Sequence, residues 1–271
     1  MGEQETIGRT PAPVTREQLA RELVALGVRP GGVLLVHSSL SALGWVCGGA
    51  QAVVLALLDA LGPEGTLVVP THTGANSDPA EWRHPPVPEA WWPVIRAHMP
   101  AFDPRVTPAR GLGIVAEVAR TWPGARRSAH PQDSFAAIGP EARTITAGHA
   151  LESGLGERSP LARIFDLDGD VLLLGVGHGS NTSLHLAEHR IPLPRREAYG
   201  AAVASPDGGR RWATWEDVVA DESDFEVLGA AFDASGASQA GPVGAGQARL
   251  MRQRELVAFA VGWLTDHRLP G

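Results

Sequence analysis

Three unbroken apolar runs of strand length, separated by helical patterns, constrain the fold of this chain more than any other feature. They lie at residues 33–36, 66–69 and 170–176. Strands that are apolar on both faces must be covered on both faces, and intervening helices provide the crossovers that parallel pairing requires. The sequence therefore predicts an α/β fold around a largely parallel sheet that is buried on both sides.

Helical patterns and turn residues organise the rest of the chain. Thr15 opens the first helical pattern, with Gln18 three residues later as a capping box. Pro206-Asp207-Gly208-Gly209 predicts a hairpin. Residues 71–108 are rich in proline and aromatic residues but lack a regular pattern, and residues 228–247, rich in small residues, are expected to include a mobile loop. Further helices are predicted at 50–61, 111–121, 181–190 and 255–267.

The length of 271 residues suits one large domain, residues 1–271, and neither a repeat nor a clear linker divides it. Residues 71–108 and 195–245 are candidates for a small subdomain or lid. The net charge of −7 disfavours nucleic acid as a partner and suits a cationic ligand. The single cysteine, the lack of a secretory pattern and the lack of a long apolar run predict a cytoplasmic protein without membrane attachment.

Two polar motifs could hold phosphate groups. Val36-His37-Ser38-Ser39-Leu40-Ser41 follows a strand and leads through glycines into a helix, where free backbone N–H groups attract anions. An ordinary strand-to-helix turn would have the same pattern. Arg126-Arg127-Ser128-Ala129-His130-Pro131 offers guanidinium groups suited to phosphate, although a solvated basic turn would also fit.

The motif with the most chemical content lies between residues 174 and 189. An apolar strand ends in a glycine turn, and the next helix carries His185, Glu188 and His189 on one face by their i, i+3 and i+4 spacing. One interpretation is a catalytic histidine, and another is a buried core histidine. A third is the His-x-x-Glu-His motif of a zinc hydrolase, whose third ligand would be sought among other residues: His130, Asp217 and Glu222.

Acidic residues are concentrated in two places. Six carboxylates lie between residues 216 and 226, among them Glu216, Asp217, Asp221 and Asp224. They could form a solvated loop, or one could orient a histidine while others bind ligand ammonium groups. The irregular segment adds Asp78, Glu81 and Asp103 for the same cation-binding role.

Ordered motifs through nearly the whole chain resemble those of the aminoglycoside 3-N-acetyltransferase family. The motifs, in chain order, are His37-Ser38-Ser39-Leu40, Glu64-Gly65-Thr66-Leu67-Val68, Phe102-Asp103-Pro104, Arg127-Ser128-x-His130-Pro131, Gly156-Glu157-x-Ser159-Pro160, residues 172–177, Asn181-Thr182-x-x-His185-x-Ala187-Glu188 and Gly241-Pro242-Val243-Gly244. The resemblance implies a three-layer α/β/α sandwich with a mixed central sheet, unlike the common N-acetyltransferase fold. It also implies acetyl-CoA as donor, an aminoglycoside amine as acceptor and no metal.

The resemblance also assigns roles to residues. His185 corresponds to the catalytic histidine of the family, and its acidic partner is expected after the hairpin, at Asp217 or alternatively Glu216. The coenzyme site is expected at His37, Ser38, Ser39 and Leu40 together with Arg127, Ser128 and His130. Substrate binding is expected at six carboxylates: Asp78, Glu81, Asp103, Glu188, Asp221 and Asp224.

From these assignments we expect His185 to act as general base in direct acetyl transfer within a ternary complex, by a protein that is a monomer or a homodimer. A zinc hydrolase, an acetyltransferase of the same family for a different amine, and a non-catalytic binding module remain the alternatives.

Overall fold

Residues 2–268, which are the residues that the computed structural model describes, form nine strands and ten α-helices. The strands are β1 Val33–Ser38, β2 Thr66–Pro70, β3 Arg126–Arg127, β4 Phe135–Ile138, β5 Asp170–Leu174, β6 Arg196–Ala204, β7 Arg210–Val218, β8 Ser238–Val243 and β9 Gly246–Arg252. The α-helices are α1 Glu3–Arg9, α2 Arg16–Leu26, α3 Gly49–Leu61, α4 Trp92–His98, α5 Gly113–Arg120, α6 Ala142–Thr146, α7 Pro160–Asp166, α8 Ser183–Glu188, α9 Phe225–Ala234 and α10 Gln253–Arg268. Short 3-10 helices cover Leu40–Leu43, Pro79–Glu81, Glu89–Trp91, Leu151–Ser153 and His178–Ser180.

Seven strands form one mixed sheet in the order β3-β4-β2-β1-β5-β9-β8. β1 pairs in parallel with both β2 and β5, and the outer four strands join antiparallel. The α/β class with a mixed central sheet is therefore confirmed, with parallel pairing confined to the three apolar strands read from the sequence. Their carboxyl ends meet at one edge of the sheet.

Alternate residues of the central strands pack into two separate cores. Leu34 and Leu172 face α2, α3 and α5, whereas Leu35 and Leu173 face the layer of α6 to α10. This alternation follows from the two-residue period of a strand. Each of these leucines is at most 1% exposed and contributes about 1.5–3 kcal/mol through burial. The two cores make the protein a three-layer α/β/α sandwich.

The hairpin β6–β7 and the segment 71–108 lie outside these layers and pack against each other. Arg210 of β7 donates hydrogen bonds to the carbonyl oxygens of Met99, Ala97 and Arg96. The amide of Phe102 donates to the carbonyl of Ala202 in β6 at 3.0 Å. These contacts join the hairpin to the carboxyl end of α4.

Some sequence expectations for the outer segments need correction. Residues 228–247 do not form a mobile loop but supply most of α9, all of β8 and the start of β9. The candidate lid range 195–245 therefore combines the hairpin with elements of the main layers. Gly241 and Pro242 are tolerated in β8 because it is an edge strand. Among residues 2–268, no helix is both long and apolar enough to cross a membrane.

Candidate active site

A cleft of 760 Å³ opens where the parallel strands end. Residues that follow β1, β2 and β5 form its floor, and the first turn of α5 and the loop before α8 form its sides. Gly175, just after β5, has a φ of 74°, and a Cβ there would lie 2.5 Å from the Cβ of Ala42. Only glycine lets the chain turn so close to the 3-10 helix beside the cleft. Carboxyl ends of parallel strands are the usual place for ligand sites in such sheets.

His185 and Glu188 form a dyad at the base of this cleft. One helical turn separates them in α8, and Nδ1–H of His185 donates to Oε2 of Glu188 at 2.6 Å. The side chain of His185 is 12% exposed and that of Glu188 is 2% exposed. With Nδ1 bonded to the carboxylate, Nε2 carries the lone pair and is the nitrogen left for the cleft that His185 lines. This arrangement suits a general base.

The carboxylate of Glu188 is held from behind by two further donors. Its Oε1 accepts a hydrogen bond from Arg268 at 2.5 Å and another from the backbone amide of Asp221 at 3.2 Å. Both oxygens of Glu188 are therefore occupied within the protein. The expected role of Glu188 in substrate binding does not agree with this geometry, because the side chain is buried behind His185.

The expected pairing of His185 with Asp217 is wrong in this structure. The carboxylate of Asp217 accepts hydrogen bonds from the amides of Gly154 and Val218 at 2.6 and 2.7 Å. The alternative partner, Glu216, is exposed on the opposite face of β7, because adjacent strand residues point to opposite sides. The real partner comes from the helix of His185 itself.

His189 and His185 contact different carboxylates. Nε2 of His189 lies 3.9 Å from Oδ1 of Asp217, whereas His185 bonds Glu188. In the part of the chain from residue 2 to residue 268, no three His, Cys, Asp or Glu side chains converge in a way that could hold a metal ion. The His-x-x-Glu-His sequence is thus divided between two separate polar contacts and does not form the ligand set of the zinc-hydrolase hypothesis.

The His37–Leu40 motif, at the end of β1, forms one wall of the cleft. Ser38, Ser39 and Leu40 all line it. His37 is 5% exposed, and its Nε2 lies 3.3 Å from Oγ1 of Thr182, which also lines the cleft. Burial, together with the nearby histidines, lowers the pKa of His37 to about 3. The imidazole is therefore neutral and can only exchange hydrogen bonds.

Arg127 lies outside the cleft, contrary to its expected coenzyme role. Its Nε donates to the hydroxyls of Thr71 and Ser134 at 3.0 Å, and its terminal nitrogens donate to the carbonyls of Thr71, Pro104 and Thr107. Burial lowers the pKa of Arg127 to about 10. Each of its nitrogens bonds a group of the segment 71–108 or of the sheet, so the guanidinium fastens that segment to the sheet.

Ser128 and His130 are also structural and do not reach the cleft. The Ser128 hydroxyl accepts from the amide of Phe135 and lies 2.9 Å from Nδ1 of His149. Nδ1 of His130 accepts from the amide of Asp133 at 2.9 Å, and its Nε2 lies 3.1 Å from the carbonyl of Leu151. The rings of His130 and His149 stack with centroids 4.8 Å apart. The coenzyme assignments to Ser128 and His130 are therefore not supported, because both side chains are buried and already bonded.

The remaining carboxylates expected to bind substrate also lie outside the cleft. Arginines neutralise three of them in the ion pairs Asp78–Arg96, Asp103–Arg105 and Asp224–Arg268. Asp221 accepts from the amide of Ser223 at 3.1 Å. Glu81 has no ion pair among residues 2–268, and desolvation, then Asp78 and Glu197, raises its pKa to about 7. The ion pairs and the hydrogen bond indicate that these carboxylates stabilise the loops that carry them.

Two cleft residues had no assigned role from the sequence. His72 follows β2, and Asp133 precedes β4 at the same edge of the sheet. A third, Glu222, was considered as a metal ligand and as one of the six carboxylates of residues 216–226. Burial lowers the pKa of His72 to about 4. The sequence pattern could have indicated His72, because it follows an apolar strand as His37 does. No sequence pattern indicates Asp133, because the antiparallel position of β4 is what brings the amino end of that strand to the cleft.

A smaller cavity adjoins the cleft beneath the hairpin. The two share Asp133, Leu155 and Ala220, and the smaller one adds the aromatic side chains of Tyr199 and Trp215. Burial and Glu197 raise the pKa of Tyr199 above its ordinary value, so the phenol stays neutral. Carboxylates and aromatic rings near His185 form a suitable surface for a polar cationic molecule.

The sheet and the polar cleft at the ends of its parallel strands are those of an α/β enzyme, and a His–Glu pair lies at that cleft. A family model for aminoglycoside 3-N-acetyltransferases matches residues 35–265. The chain belongs to the aminoglycoside 3-N-acetyltransferase family and is an acetyltransferase.

Named relatives can be aligned with almost the whole sequence of this chain. An aminoglycoside N(3')-acetyltransferase-like protein, YokD, from a prophage of Bacillus subtilis is 42% identical over 259 residues, which are 95% of each chain. Aminoglycoside N(3)-acetyltransferase VIII of Streptomyces fradiae is 39% identical over an alignment that covers 100% of this chain and 98% of the relative.

Solved structures show the same fold. The crystal structure of YokD matches with a TM-score of 0.96 over 98% of each chain, at 41% identity. AAC-IIIb in a binary complex with CoASH gives a TM-score of 0.85 at 34% identity, over 94% of this chain and 97% of that one. AAC-VIa bound to sisomicin gives 0.84 at 34% identity, over 94% of this chain and 98% of that one.

Proposed function

We propose that this protein transfers the acetyl group of acetyl-CoA to the 3-amino group of the 2-deoxystreptamine ring of aminoglycoside antibiotics, and so confers resistance to them. The observation that carries the proposal is the 2.6 Å bond from Nδ1 of His185 to the buried Glu188, which leaves Nε2 for the cleft. Relatives that bind CoASH or sisomicin support the choice of donor and acceptor. Transfer is direct, within a ternary complex.

His185 supplies the base that the reaction needs. An amine attacks a thioester only in its neutral form, and most alkyl amines are protonated near neutral pH. Nε2 of His185 accepts a proton from the acceptor nitrogen as the C–N bond forms and the C–S bond breaks, and the proton can then pass to the departing thiolate. Glu188 holds the ring in the required tautomer and stabilises the imidazolium that forms.

Acetyl-CoA fits the wall formed by the turn after β1. Ser38, Ser39 and Leu40 give this wall small polar groups and an apolar surface, and Leu112 and Ile114 face it from the start of α5. When bound, acetyl-CoA supplies the thioester carbon that the amine attacks. The hydroxyl of Thr182, or that of Ser38 or Ser39, stabilises the developing oxyanion, because all three residues line the cleft with His185.

The acceptor occupies the side of the cleft beneath the hairpin. Asp133 and Glu222 line the main cleft, and Tyr199 and Trp215 line the cavity that continues from it. The carboxylates of Asp133 and Glu222 attract ammonium groups, and the net charge of −7 favours the approach of a polycation. These residues replace the loop carboxylates as the proposed antibiotic contacts.

The proposal is tested by measuring, with a thiol reagent, the free CoA that is released from acetyl-CoA in the presence of gentamicin, apramycin or neomycin. NMR of the product identifies the acetylated nitrogen. Replacing His185 with Gln is expected to lower turnover by about 10²–10⁴-fold with little effect on CoA binding, because only the proton acceptor is lost. His98→Gln, a change at an exposed histidine of α4, serves as the matched control.

Three outcomes would contradict the proposal in different ways. Turnover retained by His185→Gln would remove His185 from the role of base. Release that occurs with simple polyamines but with no aminoglycoside would mean a different amine acceptor. Activity that is lost on chelation and restored by zinc would favour the hydrolase hypothesis. Expression in a susceptible bacterium, with the His185→Gln variant as control, tests the resistance function.

A further inference from the structure

Arg268, near the end of α10, is connected to the dyad through Glu188. Its guanidinium bonds Oε1 of Glu188 at 2.5 Å while His185 bonds Oε2 of the same carboxylate at 2.6 Å. The guanidinium also lies 5.9 Å from the centre of the Phe225 ring, and that ring packs against His185 at 4.8 Å. Arg268 therefore contacts both Glu188 and Phe225, which are the two side chains that pack against His185.

This contact differs from the surface ion pairs of the protein because it is buried. The side chain of Arg268 is 19% exposed, and that of Glu188 is 2% exposed. Arg268 is itself fixed by two bonds to the carboxylate of Asp224, at 2.7 and 2.5 Å, and by one to the carbonyl of Asp221. A buried and fully bonded charge pair keeps one geometry, whereas exposed pairs contribute little.

We propose that Arg268 is a positioning residue that sets the strength of His185 as a base. This inference rests on the proposed role of His185. Glu188 alone would favour the imidazolium strongly, and the positive charge of Arg268 offsets part of that attraction. The same contacts hold the imidazole ring in one orientation, because Arg268 fixes the carboxylate to which Nδ1 is bonded.

Other charged groups lie around His185, and their charges also act on it in the proposed experiment. His189 lies on the same helix as His185 and Glu188. His37 and His72 come from the ends of β1 and β2 and interact with His185 through their charges when protonated. The segment before α9 contributes Asp221, Glu222 and Asp224, and α10 contributes Arg268. Apart from Arg268 and Asp224, which are replaced one at a time, none of these groups changes in the variants proposed below.

The test replaces Arg268 with Met, which keeps much of the volume and removes the charge. The acid limb of kcat/KM is expected to move upward by about one to two pH units, because a unit charge about 7 Å away is lost from a partly screened site. The 2.5 and 2.6 Å bonds to opposite oxygens of one carboxylate give this separation. We also expect kcat to fall by about tenfold, and Arg268→Lys to restore much of the acid limb.

A second variant keeps the test valid if Arg268→Met folds poorly. Asp224→Asn removes the other carboxylate on Arg268, so the acid limb is expected to move the opposite way, to lower pH. Arg254→Met is the control, because Arg254 also lies on α10, bonds the carbonyls of Phe165 and Asp166, and contacts an aromatic ring, but does not reach Glu188. It should leave the pH profile unchanged.

An NMR titration of the His185 imidazole in the intact protein separates this inference from the proposed function. The His185 signal is assigned by its absence in His185→Gln. If the titration midpoint moves in Arg268→Met as expected, Arg268 acts on His185 even if the enzyme acetylates another amine. An unmoved midpoint and an unmoved acid limb, with only a lower melting temperature, would show that Arg268 merely stabilises the fold and would overturn the inference.

Discussion

Three histidines, of which His37 is buried and His72 and His149 are half-buried, predict that this protein loses stability steeply in mild acid. Burial lowers the pKa of His37 to about 3, that of His72 to about 4 and that of His149 to about 3, from an ordinary value of 6.5. The folded protein therefore keeps these rings neutral where the unfolded chain protonates them. The stability they contribute is complete above pH 6.5 and falls as the pH drops toward their folded pKa values.

The size of the loss follows from these values. One pKa unit corresponds to about 1.36 kcal/mol, so at pH 5.0, about 1.5 units below the unfolded value, each histidine costs about 2 kcal/mol. The three together cost about 6 kcal/mol, which is comparable with the whole stability of an ordinary domain. Urea unfolding at pH 7.5 and pH 5.0, followed by tryptophan fluorescence, measures this difference in free energy.

A variant isolates one histidine from the other groups that titrate in this range. His149→Gln will lower stability at both pH values, because the ring bonds Ser128 and the carbonyl of Gly154. Its loss between pH 7.5 and pH 5.0 should nevertheless be about 2 kcal/mol smaller than that of the wild type. The exposed His98→Gln should leave that loss unchanged. Equal pH sensitivity of His149→Gln and the wild type would refute the reasoning.

Further predictions concern the site and its supports. Glu188→Gln should lower kcat by about 10²-fold or more with little change in the KM for antibiotic, and an unchanged kcat would argue against the dyad. Asp133→Asn should raise that KM with kcat nearly unchanged, as steady-state kinetics will show. Arg127→Met should leave the calorimetric Kd for CoA unchanged but make residues 71–108 more sensitive to proteolysis; weaker CoA binding would restore its coenzyme role. Gly175→Ala should lower the free energy of unfolding by about 2 kcal/mol or more, because its φ of 74° disfavours a side chain and its Cβ would crowd Ala42.

The sequence was sufficient for the sheet and for the position of His185 at the cleft. Unbroken apolar runs identify the three parallel strands, and the alternation of strand and helix places their carboxyl ends together. His185 follows the last of these strands at the start of a helix, so the position of the site could be inferred. Glu188 was also recognisable, because i, i+3 spacing puts it beside His185, but the same spacing suited a zinc motif.

Contacts that depend on tertiary packing could not be predicted. Arg127 resembles a phosphate ligand in sequence, yet its partners are mostly carbonyl oxygens of residues 71–107, and a carbonyl oxygen is present at every residue. Asp217 lies near the right part of the chain, but its strand turns it toward the amides of Gly154 and Val218. Arg268 lies 80 residues from Glu188, and no local pattern connects the two.

The way in which the outer segments are fastened affects how such an enzyme can change during evolution. Arg210 and Arg127 hold residues 71–108 largely through main-chain carbonyl oxygens, which remain in place whatever side chains the segment carries. The segment can therefore accumulate substitutions without losing its attachment to the hairpin or to the sheet. His185 and Glu188 lie on a different element, in the main layers. Residues 71–108 can thus diverge in sequence while the pair of His185 and Glu188 is inherited unaltered.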